Sequence, residues 1–559
     1  MKKRVLSILV VCALGGVLLA GCGSDSGTES SAASEESTTA ESTTDETSSG
    51  VASIAAENGE IVIAYSVEPT SLDPAHNTSY GGYHTINNIC DSLLTLDENG
   101  DVQDNIATME QVDDVTYVYT LQDGILFSDG TEMTAEDVVF SIEHYLDPDT
   151  AADTASMLSN VETVEATGDN EVTITLYEAQ PNFKYIMATP CGQIFSKAYY
   201  ESVGADAFGT AEGGIMGSGP YQLESWEVGV EVVLTVNEYY WGETPDISKV
   251  TLTLMEDSSS ILLAMQSGQV DMNVDPAASL YDDIEALDTF NFESVEGSGT
   301  YFLTFNTQRE PYDDVNVRKA IAYALDAYQI MYSQFGDYVT EASPYYCGYN
   351  SLLENEELWV EHAEELETYE YDLEKAKEYM AQSDYPDGFD TTIFYWMNPE
   401  IDHNLCVLIQ SMLAEININV EVIDNTPSDS IAYGYGYMKD EDGLRDYDLF
   451  LCTWSLGFPD YTQVLEPLLY TSTIEVGGNM AAYGTEEIDS LLDSIKVETD
   501  SVTRTELMLD VMDIVNEECV YVPLGYTEFT LALSTSYTFD NYSCWWFCQS
   551  WLKDVHLAD

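Results

Sequence analysis

Leu121-Gln-Asp-Gly-Ile-Leu-Phe-Ser-Asp-Gly-Thr-Glu-Met-Thr-Ala-Glu-Asp-Val-Val-Phe-Ser141 is the stretch on which the reading of this chain turns. Ser128-Asp129-Gly130 is a turn. Thr134 followed three residues later by Asp137 resembles a capping box, in which a hydroxyl and a carboxylate satisfy the free N–H groups of a helix start. Val138, Val139, Ile142 and Leu146 then recur on one helical face. Residues 116–121, just upstream, alternate apolar and polar side chains with period two, and so do 171–176, which predicts strands on either side of the helix.

The same rhythm extends in both directions. Strands are predicted over 60–67, 270–274, 391–397 and 416–423. Helices are predicted over 258–267, stopped by Gly268, then 315–327, 372–382 with Asp372 as cap, and 403–415. Alternating helices and strands of this kind build α/β lobes with mixed sheets, and no repeat of fixed period appears. The chain has 559 residues with 45% apolar side chains, enough for roughly three domains with large cores. Its 101 Asp and Glu against 16 Lys and Arg give a formal charge of −85. Such a surface excludes nucleic acid as a partner and is repelled by anionic lipid, because both are held by clustered cations. The acid is spread along the chain rather than confined to one segment, which favours surface solvation over attraction of a cationic ligand.

The amino terminus predicts the compartment. Lys2, Lys3 and Arg4 precede an apolar run over 5–19 that is too short to span a membrane, and Leu19-Ala-Gly-Cys22 follows. This resembles a bacterial lipoprotein signal: residues 1–21 are cut away and Cys22 carries the lipid. Residues 22–57, rich in Ser, Thr, Asp and Glu, then form a disordered acidic tether, because they bury too little to offset their ordering entropy. The expected location is the extracytoplasmic face of the cell membrane. Eight further cysteines, Cys90, Cys191, Cys347, Cys406, Cys452, Cys519, Cys544 and Cys548, lack zinc-module spacing and read as buried thiols.

Patterns for catalysis are missing. There is no Gly-x-Ser-x-Gly elbow, no His-Glu-x-x-His, no phosphate-binding loop and no dinucleotide fingerprint. The six histidines are scattered, and His403, opening a predicted helix, is the one thin hint of a metal. No enzyme activity, no cofactor and no resident metal are expected.

The opening stretch also resembles the signature of the extracellular solute-binding proteins that serve peptide and nickel ABC importers. Other blocks follow in that family's order: Gly217-Ser-Gly-Pro-Tyr221, Asn237-Glu-Tyr-Tyr-Trp-Gly242, Ile261-Leu-Leu-Ala-Met-Gln-Ser-Gly-Gln-Val-Asp271, Phe302-Leu-Thr-Phe-Asn306 and Val315-Asn-Val-Arg-Lys-Ala-Ile-Ala-Tyr-Ala-Leu-Asp326. The resemblance implies an α/β, two-lobed periplasmic-binding-protein-like fold with an extra inserted subdomain in the first lobe and a hinge between lobes. Lobe one is then 58–84, 217–305 and 523–559, the inserted subdomain 85–216 and lobe two 306–522. The implied function is capture of a small solute in the interlobe cleft by a monomer that hands it to an ABC permease and ATPase complex. Oligopeptides come first, then a nickel complex or other non-peptide solute. An anchored enzyme or adhesin would need a reactive constellation that is not found.

Site residues follow from the same resemblance. Peptide-binding members carry a tryptophan in lobe two and, three residues later, an acid for the ligand's amino terminus. Here Leu451-Cys-Thr-Trp-Ser-Leu-Gly-Phe-Pro-Asp-Tyr461 places Trp454 as the tryptophan and Gly457 where the acid belongs, with Asp460 as the substitute. Trp396 and Tyr301 are expected as aromatic walls. Asn77, Thr78 and Tyr80, after the first strand, are expected to line the cleft from lobe one.

Overall fold

The computed structural model describes residues 54–77, 79–153, 155–341, 353–396 and 398–558. Cys22, the leader, nearly all of the tether, Thr78 and Cys347 lie outside the described residues. Within them, the capping box forms as read: Thr134 N–H donates to Asp137 Oδ2 at 3.0 Å and starts the helix Ala135–Leu146. That helix packs on a four-stranded antiparallel sheet in the order Ala107–Gln111, Thr116–Leu121, Glu171–Leu176 and Val161–Ala166, which forms the inserted body.

An eleven-stranded mixed sheet ties the rest together. Two long strands, Phe290–Phe305 and Tyr521–Ser534, run antiparallel through its middle. At one end they are flanked by Met272–Val274, Glu60–Tyr65 and Lys249–Leu254. At the other they meet Leu449–Trp454, Phe389–Tyr395 and Ile418–Val422. Each long strand is therefore shared by two lobes and carries the chain across the hinge.

The exchange of partners falls where the register slips, between Val295 and Gly299. Residues 300–305 pair with Leu449–Trp454, and Leu531–Leu533 pair back to Met272–Val274. By pairing, the lobe border therefore lies near 295–299 and 527–530, not at 305/306 and 522/523, because the strands do not stop at the border. A Cβ at Gly297 would stand 2.2 Å from the Thr527 carbonyl oxygen, so only glycine lets the two crossing backbones approach here.

Two other boundaries shift for local reasons. The helix expected over 315–327 ends at Ala324, since Asp326 accepts from Gln329 N–H and caps a new helix, Ala327–Phe335. The helix expected from His403 begins at Pro399, with Asn398 as cap and proline in the first turn, where its missing N–H costs nothing. His403 is thus a mid-helix residue, and its Nδ1 sits 2.9 Å from Asp424 Oδ1.

Seven of the eight cysteines predicted as thiols are described; all seven are buried, and no disulfide joins any two of them. One apolar cluster runs unbroken from the inserted body, through Tyr119, Ile142 and Phe183, to Trp454, Phe458 and Tyr461 of lobe two. The lobes are in contact.

Candidate functional site

Strand direction locates the cleft. Glu60–Tyr65, Lys249–Leu254 and Met272–Val274 all run toward the lobe border and end there, and so, from the other side, do Phe389–Tyr395, Ile418–Val422 and Leu449–Trp454. Two carboxyl edges of parallel strands face each other across the crossing strands. In open α/β sheets ligands bind outside such edges, and here two of them meet at one border. Six loops leave these edges: residues 66–79, 255–257, 275–277, 396–398, 423–426 and 455–461. Together they carry seven Asp or Glu and no Lys or Arg.

Trp454 ends its strand opposite Thr300, almost fully buried, and its Nε1–H donates to the Gln463 carbonyl at 3.0 Å. Trp396 follows the neighbouring strand. Its ring stands edge-on to Phe450, centroids 5.9 Å apart, and a Cβ at Gly434 would lie 2.6 Å from it. The two indoles lie at neighbouring strand ends and belong to one cluster. Gly457 N–H donates to Gln463 Oε1 at 3.0 Å, and a Cβ at this position would meet the same oxygen at 3.0 Å.

Asp460 does not stand in for the missing acid. Its Oδ2 and Oδ1 accept from the Arg504 guanidinium at 2.7 and 3.1 Å, and Oδ1 also receives the Thr462 N–H at 2.9 Å and the Thr462 hydroxyl. Burial alone would raise this carboxyl, but the Arg504 charge and the Thr462 hydrogen bonds hold it below the usual range. With both side chains almost fully buried, the carboxylate is consumed by an internal ion pair. Tyr301 is likewise no open wall. Its hydroxyl donates to Asp402 Oδ1 at 3.2 Å and its ring packs on Phe335 in the lobe-two core. Asn77 is fully buried and closes its own turn, with Nδ2 donating to the Ser79 carbonyl and Oδ1 accepting from the Ser79 N–H, both at 3.3 Å. Thr78 and the Tyr80 side chain lie outside the described residues; the Tyr80 backbone opens the helix Tyr80–Ile86.

What the sequence did not disclose is how firmly the loop 455–461 is gripped from across the border. Ser298 Oγ donates to the Leu456 carbonyl at 3.1 Å, and Phe458 stacks on Tyr185 of the inserted body with ring planes 4° apart. Asn182 Nδ2 donates to Thr462 Oγ1 at 3.1 Å, and Lys184 and the Tyr185 hydroxyl both reach Glu354 Oε1, at 2.9 and 3.0 Å. Lys496 reaches Glu178 at 3.5 Å. These pairs join partners far apart in sequence, so no local pattern announces them.

The same seam contains a titrating carboxyl. Burial pushes Glu466 up to about 7 against the pull of Lys496. Its folded value lies above the ordinary 4.5, so its contribution to stability is full below 4.5 and is lost as pH rises through 7. Glu466→Gln is expected to remove this decline, worth about 1–3 kcal/mol. Urea unfolding at pH 4.5 and 7.5 checks it: an unchanged difference between the two pH values would mean that Glu466 ionises freely.

A family model described as "Bacterial extracellular solute-binding proteins, family 5 Middle" matches residues 101–475. The glutathione-binding protein GsiB of Salmonella typhi is 25% identical over 489 residues, covering 86% of this chain and 91% of its own. Among solved structures, the ABC transporter substrate-binding protein CtaP of Listeria monocytogenes superimposes with a TM-score of 0.78 at 21% identity, over 89% of this chain and 99% of that one. DppA of Helicobacter pylori, in complex with the peptide STSA, gives a TM-score of 0.71 at 23% identity, over 90% and 99%. The two structures share the two-lobed fold.

Proposed function

The chain belongs to the bacterial extracellular solute-binding proteins of family 5, and we propose that it captures oligopeptides while held at the outer face of the cell membrane by a lipid on Cys22. It is the solute-binding component of an ABC importer and not an enzyme. The facing carboxyl edges carry the peptide reading: they form one crevice bordered by Trp454 and Trp396, with strand ends on both sides that can pair with an extended backbone. The six loops narrow the choice further. Glutathione, for which the Salmonella relative is named, carries two carboxylates and one ammonium, and no Lys or Arg stands on these loops to receive them. A solute recognised through a positive charge fits better, and a peptide with a free amino terminus is one. The basic start, the apolar run and Leu19-Ala-Gly-Cys22 support the anchor. The protein acts as a monomer whose closed face meets the permease.

Native mass spectrometry of the full-length protein, before and after unfolding and refolding to strip ligand, tests the reading. Heterogeneous excess mass that disappears on stripping and returns with a tetrapeptide mixture is the expected result. A single non-peptide mass, or no recovery with peptides, would refute oligopeptide capture. Lipid on Cys22 is read from the mass of the amino-terminal fragment, and an unmodified cysteine there would remove the anchor.

A further inference from the structure

Gly457 brings no charge to the crevice and Asp460 is spent on Arg504, so a carboxylate for a cationic ligand must come from elsewhere. Asp275 is the residue immediately after Met272–Val274, at the carboxyl end of the innermost short strand of lobe one, where the sheet passes to lobe two. Its backbone N–H is fixed to the Thr530 carbonyl at 3.0 Å. The side chain is exposed, yet protein surrounds it closely enough that desolvation is the sole cause acting on its carboxyl, raised to about 6. No hydrogen bond and no cation from a described residue reaches it. Its position therefore puts a carboxylate, unpartnered among the described residues, at the border between the lobes.

Its charge is felt by side chains of several separate elements. The charge of Asp275 raises the phenols of Tyr281, of Tyr301 on the first crossing strand, and of Tyr542 near the carboxyl terminus. Glu293 and Glu528, on the two crossing strands, act on Tyr542 and Tyr281 respectively, and no Lys or Arg acts on any of these phenols. Two residues back, the buried Asn273 leaves its Nδ2 without a partner. Across the border Thr300, fully buried opposite Trp454, leaves its Oγ1 without one. The backbone adds a separate argument. Asp275 has φ 52°, in the left-handed region, where asparagine or glycine would serve as well, and it precedes Pro276, which restricts it further. An acid thus stands at a position whose conformation does not call for one.

We propose that Asp275 is the carboxylate that receives the ammonium group of the captured solute, in the role that position 457 cannot fill. This rests on the peptide reading and deepens it: the ligand's amino terminus lies against the end of lobe one's sheet. Its carboxyl terminus meets no Lys or Arg on the six edge loops.

The test uses the stripped full-length protein, Asp275→Asn, which suits the left-handed backbone, and Asp275→Glu. The probes are tetra-alanine, its N-acetyl form and its carboxy-terminal amide, with binding followed by calorimetry. Acetylation and Asp275→Asn should each weaken capture about 10- to 100-fold, the worth of one charge-assisted hydrogen bond, while amidation changes it less than about threefold. Wild-type affinity should fall from pH 7 to 5 as Asp275 takes up a proton, and Asp275→Asn should lose that dependence. Urea midpoints show that the variants are folded. If wild type takes no tetra-alanine, putrescine and arginine replace it. Weaker binding of these by Asp275→Asn upholds the anchor while the peptide reading fails. Equal affinity of wild type and Asp275→Asn for every probe, or no binding of any of them, overturns the proposal.

Discussion

Arg504→Ala is expected to cost about 3–5 kcal/mol of stability, although Arg504 lies far along the chain from the loop it supports. Removing the guanidinium leaves the Asp460 carboxylate, almost wholly buried, with only Thr462 to stabilise its charge. The loss is larger than the net worth of the pair, because the cost lies in an ion left uncompensated in a poorly polarisable setting. Asp460 would then ionise with difficulty, and the stability that its low pKa supplies above the ordinary carboxylate range would vanish. Arg504 also donates from Nε to the Ile495 carbonyl at 3.1 Å, so the helix Glu486–Val497 loosens as well. Urea unfolding measures the first effect, and peptide capture measures the consequence for Gly457 and Trp454. The double variant Asp460→Asn/Arg504→Met, which removes both charges together, should recover most of the loss. A single variant within 1 kcal/mol of wild type would show that Asp460 is solvated and free for a ligand after all.

That pair also marks where sequence reading ran out. Thr134 with Asp137, the period-two runs over 116–121 and 171–176, and the Asp372 cap were legible because each is a contact between residues within one turn or one strand. The family blocks carried the two-lobed plan. The crossing strands were not legible. Phe290–Phe305 contains Glu296-Gly-Ser-Gly299, which reads as a turn; its first half buries one face through Phe290, while its second half is buried on both, with Phe302 on one side and Tyr301, Leu303 and Phe305 on the other, so no single periodicity runs through it. The lobe border was accordingly placed at the strand's end. In the site, Trp454 and Trp396 stand at the ends of neighbouring strands; the family resemblance singled out the first and the aromatic content of lobe two the second, and no periodicity marked either. Asp460 and Tyr301 were misread because their partners, Arg504 and Asp402, are 44 and 101 residues away. Asp275 carried no local signal of a site residue, because an acid followed by proline reads as an ordinary helix cap with proline in the first turn.

Arg445→Ala is the second large effect expected, and its cause is different. Arg445 is about 1% exposed and sits among carbonyls rather than carboxylates. Nε donates to Ile474 at 2.9 Å, Nη1 to Gly434, and Nη2 to Thr473 at 3.0 Å and Gly477 at 2.9 Å. Truncation strands four acceptors, three of them buried and the Ile474 carbonyl partly so, each buried one costing about 1–3 kcal/mol unless water enters, so a loss of at least about 4 kcal/mol is expected, beyond the ordinary range for one substitution. The site should feel it too. Gly434 closes the helix Pro427–Gly434 directly against the Trp396 ring, and the segment around Gly477 leads to Gly478, where a Cβ would lie 3.3 Å from Trp454. One guanidinium therefore fixes the backing of both tryptophans proposed to border the crevice. Arg445→Lys keeps the charge but has no planar fork to reach four carbonyls, so it should recover less than half of the loss. Urea unfolding gives the stability, and the change in tryptophan fluorescence on adding tetra-alanine gives the site. If Arg445→Ala unfolds near the wild-type midpoint with the same fluorescence response, the carbonyls have found other donors and the wall behind Trp396 holds without Arg445.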